Sequence, residues 1–274
     1  MKLDSGKAWT NAVEMISGNR DAVLAIAGLF FFLPPFALWL LLPDAMVPQE
    51  PPVSDTADFN VLLEAMQAQM AEQVAKFWWV TVLLTAFQWF GMLALMSLFI
   101  DRSRPTVGDA MKSAGRGLVP FIAAQLLVVL AIALVVLIAT QIGVAGAILL
   151  LISFPVMIYV FVKVTLLPPV ITIENQLNPL NAIKRSWQLT KGNSLSLFFF
   201  LLLLTIALGV VALLVSLVFS AGFAAVGGTI EQIGNGFVES VLSAAIAVSL
   251  LAAVAAVYRQ LAGPSDAEVS ETFE

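Results

Sequence analysis

Between two long apolar segments, residues 163–197 read KVTLLPPVITIENQLNPLNAIKRSWQLTKGNSLSL, and the rest of the chain is arranged around this stretch. Pro168-Pro169 is expected to end the preceding helix, because proline lacks the backbone donor and clashes with the turn before it, and Leu167 is pushed out of the helical region. A new helix is expected at Asn178-Pro179. Asn178 suits the N-cap, and Pro179 suits the first helical position, where a missing N–H costs nothing. At about 100° per residue, residues 179–191 place Lys191, Lys184, Gln188, Asn181 and Arg185 on one arc, with Leu180, Ile183, Trp187, Leu189 and Ala182 around the rest. A helix with these two sides is expected to lie along a membrane surface.

The composition agrees. Sixty per cent of residues are apolar and 11% charged, against about 45–50% and about 25% in soluble domains. Runs with at most one charge, each near the roughly 20 residues that cross a bilayer as a helix, occupy 22–42, 77–100, 118–140, 144–167, 195–219 and 237–257. The first is too long for a signal-peptide core and is followed by no small-residue cleavage site, so it is expected to be a retained span. The reading is an all-α integral membrane protein with six transmembrane helices, in one polytopic domain over 1–261. Residues 262–274 are expected to form an acidic, disordered tail.

Charge fixes the expected orientation. Residues 43–75 carry six acids and no Lys or Arg, whereas 101–117 carry Arg102, Arg104, Lys112 and Arg116, and the organising stretch carries Lys184, Arg185 and Lys191. By the positive-inside rule the first loop is outside and the basic ones are cytoplasmic, giving N-in/C-in. Lys163, near the inner end of the fourth span, is expected to snorkel to the surface. Within the outer loop Phe59, Leu63, Met66, Met70 and Val74 form a helical stripe, which either packs on the outer face, extends the second span or docks a partner. Ser220 to Gly236 is expected to be an outer loop.

A unit recurs three times: amphipathic helix, glycine, span, outer turn, span. Residues 7–17 end at Gly18, 106–116 at Gly117 and 179–191 at Gly192. The expected arrangement is three helical hairpins, each preceded by a cytoplasmic amphipathic helix, with each glycine in the left-handed conformation that turns the chain into the bilayer. In the first helix Ala8, Ala12, Ile16, Trp9 and Val13 face away from Lys7, Thr10, Asn11, Glu14 and Ser17. In the second, Val107, Met111, Ala114 and Ala110 face away from Asp109, Lys112, Ser113 and Arg116.

Pro168, Glu174, Pro179, Ala182, Arg185-Ser186-Trp187, Leu189-Thr190 and Gly192-Asn193 together resemble the signature of the glycerophosphoryl diester phosphodiesterase membrane-domain family, to which the YciC-like bacterial inner-membrane proteins are similar. The resemblance implies a multi-pass protein of the bacterial inner membrane. It also implies a membrane module without the catalytic domain of fused relatives, since only a short acidic tail follows the last apolar run.

Chemistry is sparse. The chain has no cysteine and no histidine, which removes disulfides, thiolate ligands and the commonest general base and metal ligand. No catalytic residue, metal site, cofactor or nucleic-acid partner is expected. Glu174 is the acid of interest, either structural through Arg185 or the next helix start, or a ligand or proton site. Lys184, Arg185, Lys191, Arg102, Arg104, Lys112 and Arg116 form a basic surface for anionic lipids of the inner leaflet, with Trp187 in the interfacial belt. Ala245, Ser249 and Ala253 are expected to make a close helix-packing row. The functional expectation is a non-enzymatic protein that engages lipids or lipid-derived amphiphiles in envelope homeostasis or lipid movement. The alternative is a scaffold or assembly subunit that binds a membrane-protein partner.

Overall fold

The computed structural model describes residues 2–42, 59–101 and 106–263. Among these residues the chain is helical without strands: α1 (Ser5–Gly18), α2 (Arg20–Leu41), α3 (Phe59–Ile100), α4 (Val107–Gln141), α5 (Val144–Val164), α6 (Leu167–Ile173), α7 (Pro179–Leu189), α8 (Ser194–Ala224) and α9 (Gly228–Ala262). Six segments are long and apolar enough to cross a membrane: α2, α3, α4, α8, α9 and the stretch Ile148–Ile173. The tail beyond Gly263 lies outside the described residues.

The two Leu-Pro-Pro sequences shape the chain in different ways. In α2 a π-helical turn over Gly28–Phe32 precedes Pro34-Pro35, which enter the next turn at its first positions. In the organising stretch the prolines begin a helix rather than standing outside one. The break falls one residue earlier than expected, at Thr165 and Leu166, and Leu167 opens α6 with both prolines in its first turn. There the missing N–H groups cost nothing. Single prolines at 120 and 155 leave α4 and α5 unbroken, as neighbouring helices allow in membrane proteins.

The core sits at one end of the bundle. It is built from Leu93–Ile100 at the end of α3, Ala110 to Ala124 at the start of α4, all of α6 but Ile173, Leu197 at the start of α8 and Ala252–Tyr258 at the end of α9. Away from that end the helices present large apolar side chains outward, among them Leu130, Leu137, Leu203, Leu213 and Val218. Side chains of this kind need lipid around them, because water would make such a surface aggregate.

Several expectations about the connections are corrected. Gly117 does not turn the chain: α4 runs straight through it, and its bare Cα lets Ile171 of α6 approach, so a Cβ there would lie 3.1 Å from the Ile171 methyl. Gly18 also lacks a positive φ, and Gly192 alone of the three has the left-handed geometry, at φ 83°. Most of the expected 220–236 loop is helix, leaving a short turn at 225–227. The stripe at Leu63, Met66, Met70 and Val74 takes one of the expected alternatives, extending the second span as one 42-residue helix, with all four side chains exposed. On α9 the packing row is Gly236, Ser240, Ala244, Val248 and Ala252; of the expected row Ala253 is buried, whereas Ala245 faces outward and its carbonyl accepts from the Ser249 hydroxyl at 2.8 Å. The row is displaced because Trp39 of α2 lies over Gly236, fixing which side of α9 turns inward.

Glycine is sterically required at Gly91, where an added Cβ would collide with Phe30 Cβ, an atom that no rotamer change can move. Gly91→Ala should therefore lower unfolding stability in detergent by about 1–3 kcal/mol. Gly209, with nothing within 4 Å of an added Cβ, is the matched control: Gly209→Ala should hold or raise the thermal midpoint.

Candidate functional site

The site is assembled where the organising stretch doubles back. After α6, Asn175 adopts φ 49°, a left-handed conformation that asparagine tolerates better than most residues. The chain then reaches Asn178, whose side chain accepts from the backbone N–H of Leu180 at 3.0 Å and of Asn181 at 3.3 Å. The expected cap is present, and α7 ends at Leu189.

This reversal brings Glu174 to Arg185. The Arg185 Nε donates to both carboxylate oxygens, at 3.0 Å and 2.8 Å, and Tyr258 of α9 donates its hydroxyl to Glu174 Oε1 at 3.0 Å. One carboxylate thus ties the α6 terminus, α7 and the last turns of α9. The hydrogen bonds to Glu174 hold the Arg185 pKa above its ordinary value, so the guanidinium stays charged. The pair is half-buried, with side-chain exposures of 40% and 24% for Arg185 and Glu174. Its worth therefore lies between that of a surface pair, about 0–1 kcal/mol, and that of a sealed one. Tyr258 was not legible as a partner, since it lies 84 residues away and nothing nearby in sequence marks it.

On α7 the polar residues Asn181, Lys184 and Gln188 are exposed as read off the sequence, but the apolar side divides. The innermost row is Ala182, Ser186 and Thr190, each with no exposed surface, while Leu180 and Trp187 point outward. Small residues on that row let α7 approach α5 closely enough for the Ser186 hydroxyl to donate to the Lys163 carbonyl at 2.6 Å. The first amphipathic helix is corrected in the same sense: Ala8, Ala12 and Met15 face the core and Trp9 and Val13 are exposed.

Lys163 overturns the snorkelling expectation. Only 2% of its surface is exposed, and its ammonium lies over the rings of Tyr159 and Trp187 at 5.3 Å and 5.4 Å from their centroids. Those rings pack edge to face, 5.6 Å apart. The docking of α7 onto α5 closes over the lysine stem, which is why it does not extend to the surface. Two rings return about 0.5–2 kcal/mol each, less than the several kcal/mol that desolvating an ammonium costs.

The other predicted residues are spread along the same end. Lys112 and Arg116 are exposed on α4, which packs against α7, and Lys184 and Lys191 are exposed on and just after α7. Arg102 and Arg104 lie outside the described residues. Nearby, a cavity of about 440 Å³ opens between α1, the end of α3 and the end of α9, lined by Asn11, Glu14, Met15, Asn19, Asp101 and Arg259 among others. Sequence reading missed it, because no short-range pattern links residues from three distant segments.

Six span-length helices, a core gathered at one end and a charged cavity beside it define a polytopic helical protein of membrane type. The chain belongs to a family described as a domain of unknown function, DUF7847, whose model matches residues 20–261. No curated protein matches the chain, and no solved structure does.

The Glu174 junction makes a direct test of coupling. Glu174→Ala should cost about 1.5–3 kcal/mol and Tyr258→Phe about 1 kcal/mol. Because both remove the same bond, the double variant should cost less than the sum, as thermal unfolding in detergent will report.

Proposed function

We propose that this is a non-enzymatic membrane protein that engages phospholipids or lipid-derived amphiphiles, in envelope homeostasis or lipid movement. The observation that carries the reading is the 440 Å³ cavity, within the roughly 300–1,000 Å³ of small-molecule sites. Its lining suits a headgroup. Arg259 offers paired donors for a phosphate, Glu14 offers charge for an amine, and Asn11 and Asn19 offer amide contacts, with Met15, Leu98 and Phe99 beneath the glycerol. A chain without histidine or cysteine is poorly equipped for acid–base or nucleophilic chemistry, which favours binding over turnover.

In this reading the protein sits in the bacterial inner membrane, N-in/C-in, its three hairpins each preceded by an amphipathic helix, with the cavity end in the cytoplasm. The exposed cations Lys112, Arg116, Lys184 and Lys191 would meet anionic lipid there, at about 1 kcal/mol each. The resemblance to the phosphodiesterase membrane-domain family supports the same assignment. A second reading, a scaffold that binds a membrane-protein partner, is favoured by one observation: the far part of α3 exposes Val61, Leu63, Met66, Met70 and Val74 along its length.

Native mass spectrometry of the purified protein should find co-isolated phospholipid, with retention reduced about fivefold in Arg259→Ala, the loss of one charge near the surface. Equal retention in the variant, or none in the wild type, would remove the cavity reading. For topology, single cysteines at Glu64 and Lys112 should react with an impermeant thiol reagent from opposite sides of the membrane. Labelling of both from one side would reverse the assignment.

A further inference from the structure

Lys163 carries an ammonium for which the described chain supplies no anion. No carboxylate among the described residues forms an ion pair with it, and its ammonium lies over the two rings of Tyr159 and Trp187. Among the described residues no fully sealed side-chain nitrogen lacks a hydrogen-bond partner. The ammonium, which has none among the described residues, is therefore enclosed along its stem and open at its tip, with N–H donors left to spend.

What fills that opening must be anionic and small where it meets the nitrogen, since 2% residual exposure admits little more than one oxygen. The surroundings are those of an amphiphile. Tyr159 and Trp187 are 46% and 39% exposed, and the same face of α5 turns Ile152 and Val156 outward. Tyrosine and tryptophan with one apolar side and one polar tip belong at the boundary between hydrocarbon and headgroups. Free phosphate would meet none of this apolar surface usefully; a lipid would use all of it.

We propose that Lys163, walled by Tyr159 and Trp187, binds the phosphate of an anionic phospholipid whose chains lie along α5. The ammonium donates to a phosphate oxygen, and the ring edges bracket the glycerol. The assignment rests on the lipid-engaging reading but uses a site on α5 and α7, separate from the cavity at α1, α3 and α9.

Brominated lipids quench tryptophan only on contact, so Trp187 reports the site directly, its signal being the difference between wild type and Trp187→Phe. In nanodiscs, brominated phosphatidylglycerol should quench this signal at a concentration at least about fivefold lower than brominated phosphatidylcholine, the factor carried by one charge. Lys163→Met, which keeps the stem, should abolish the preference, and Lys163→Arg should retain it. An equal response of the wild type to both lipids overturns the assignment even if the variants fail to fold, as does a preference that survives Lys163→Met. Displacement by millimolar inorganic phosphate would show a soluble anion and overturn the lipid as ligand. Wild type that retains phospholipid without anionic preference at Trp187 defeats this site alone, whereas wild type that retains none defeats the cavity reading as well.

Discussion

Close approach of helix backbones through small side chains is the constraint on which the structure depends. Within lipid there is little hydrophobic gain in moving one apolar helix against another, so contact must come from tight packing and from hydrogen bonds. The chain meets this most fully at one end. Ala8 and Ala12, Ala110 and Ala114, and Ala182 and Ser186 are three pairs four residues apart, each almost without exposed surface. Each pair belongs to one of the amphipathic units, and each turns its helix's smallest side chains toward the core. The larger apolar residues of these helices, such as Trp9 and Leu180, are left facing out.

Polar ties close the same end. The backbone N–H of Leu3 donates to the Asn193 amide, and Asp4 exchanges hydrogen bonds with Gln260, its N–H donating at 3.1 Å and its carbonyl accepting at 3.2 Å. Together with the carboxylate of Glu174, these bonds bind the N-terminal segment, the start of α8 and the end of α9 into one unit. The residues proposed to meet lipid headgroups therefore stand on the best-packed part of the molecule. Where lipid chains would lie, the helices have few neighbours of their own.

Much of this was legible in sequence because it is local. The N-cap at Asn178 depends on residues two and three positions away, the span-length runs on continuous apolarity, and the Glu174–Arg185 pair on a proline-marked reversal between two nearby charges. What failed depended on which side of a helix meets a neighbour. Periodicity placed Ala182 among large apolar residues but did not separate it from them, because hydropathy ranks size and burial together, whereas close packing selects smallness. Ser186 was overlooked for the same reason. Gly117 carried the same letter as Gly192 but serves a contact with Ile171 rather than a turn, a distinction made only by a partner 54 positions later. Lys163 was read as a surface residue because its cover, Trp187, arrives from another helix. Of the five described members of the basic set, Lys112, Arg116, Lys184 and Lys191 are exposed where expected, and Arg185 is drawn inward by its carboxylate.

The second span has a mechanical consequence. Forty-two residues in one helix amount to about 63 Å, roughly twice the hydrocarbon thickness of a bilayer, and no proline interrupts them. Such a rod has a clamped foot, Leu93–Ile100 in the core, a middle held by contacts such as Phe87 on Phe30, and an outer part that carries its apolar stripe far from the core. Torque applied to the tip is delivered at the foot, since an uninterrupted helix bends little along its length. Leu98, Phe99 and Ile100, the last residues of the rod, are also part of the cavity wall. The geometry is that of a crank with its handle at one end of the helix and its bearing beside the cavity at the other.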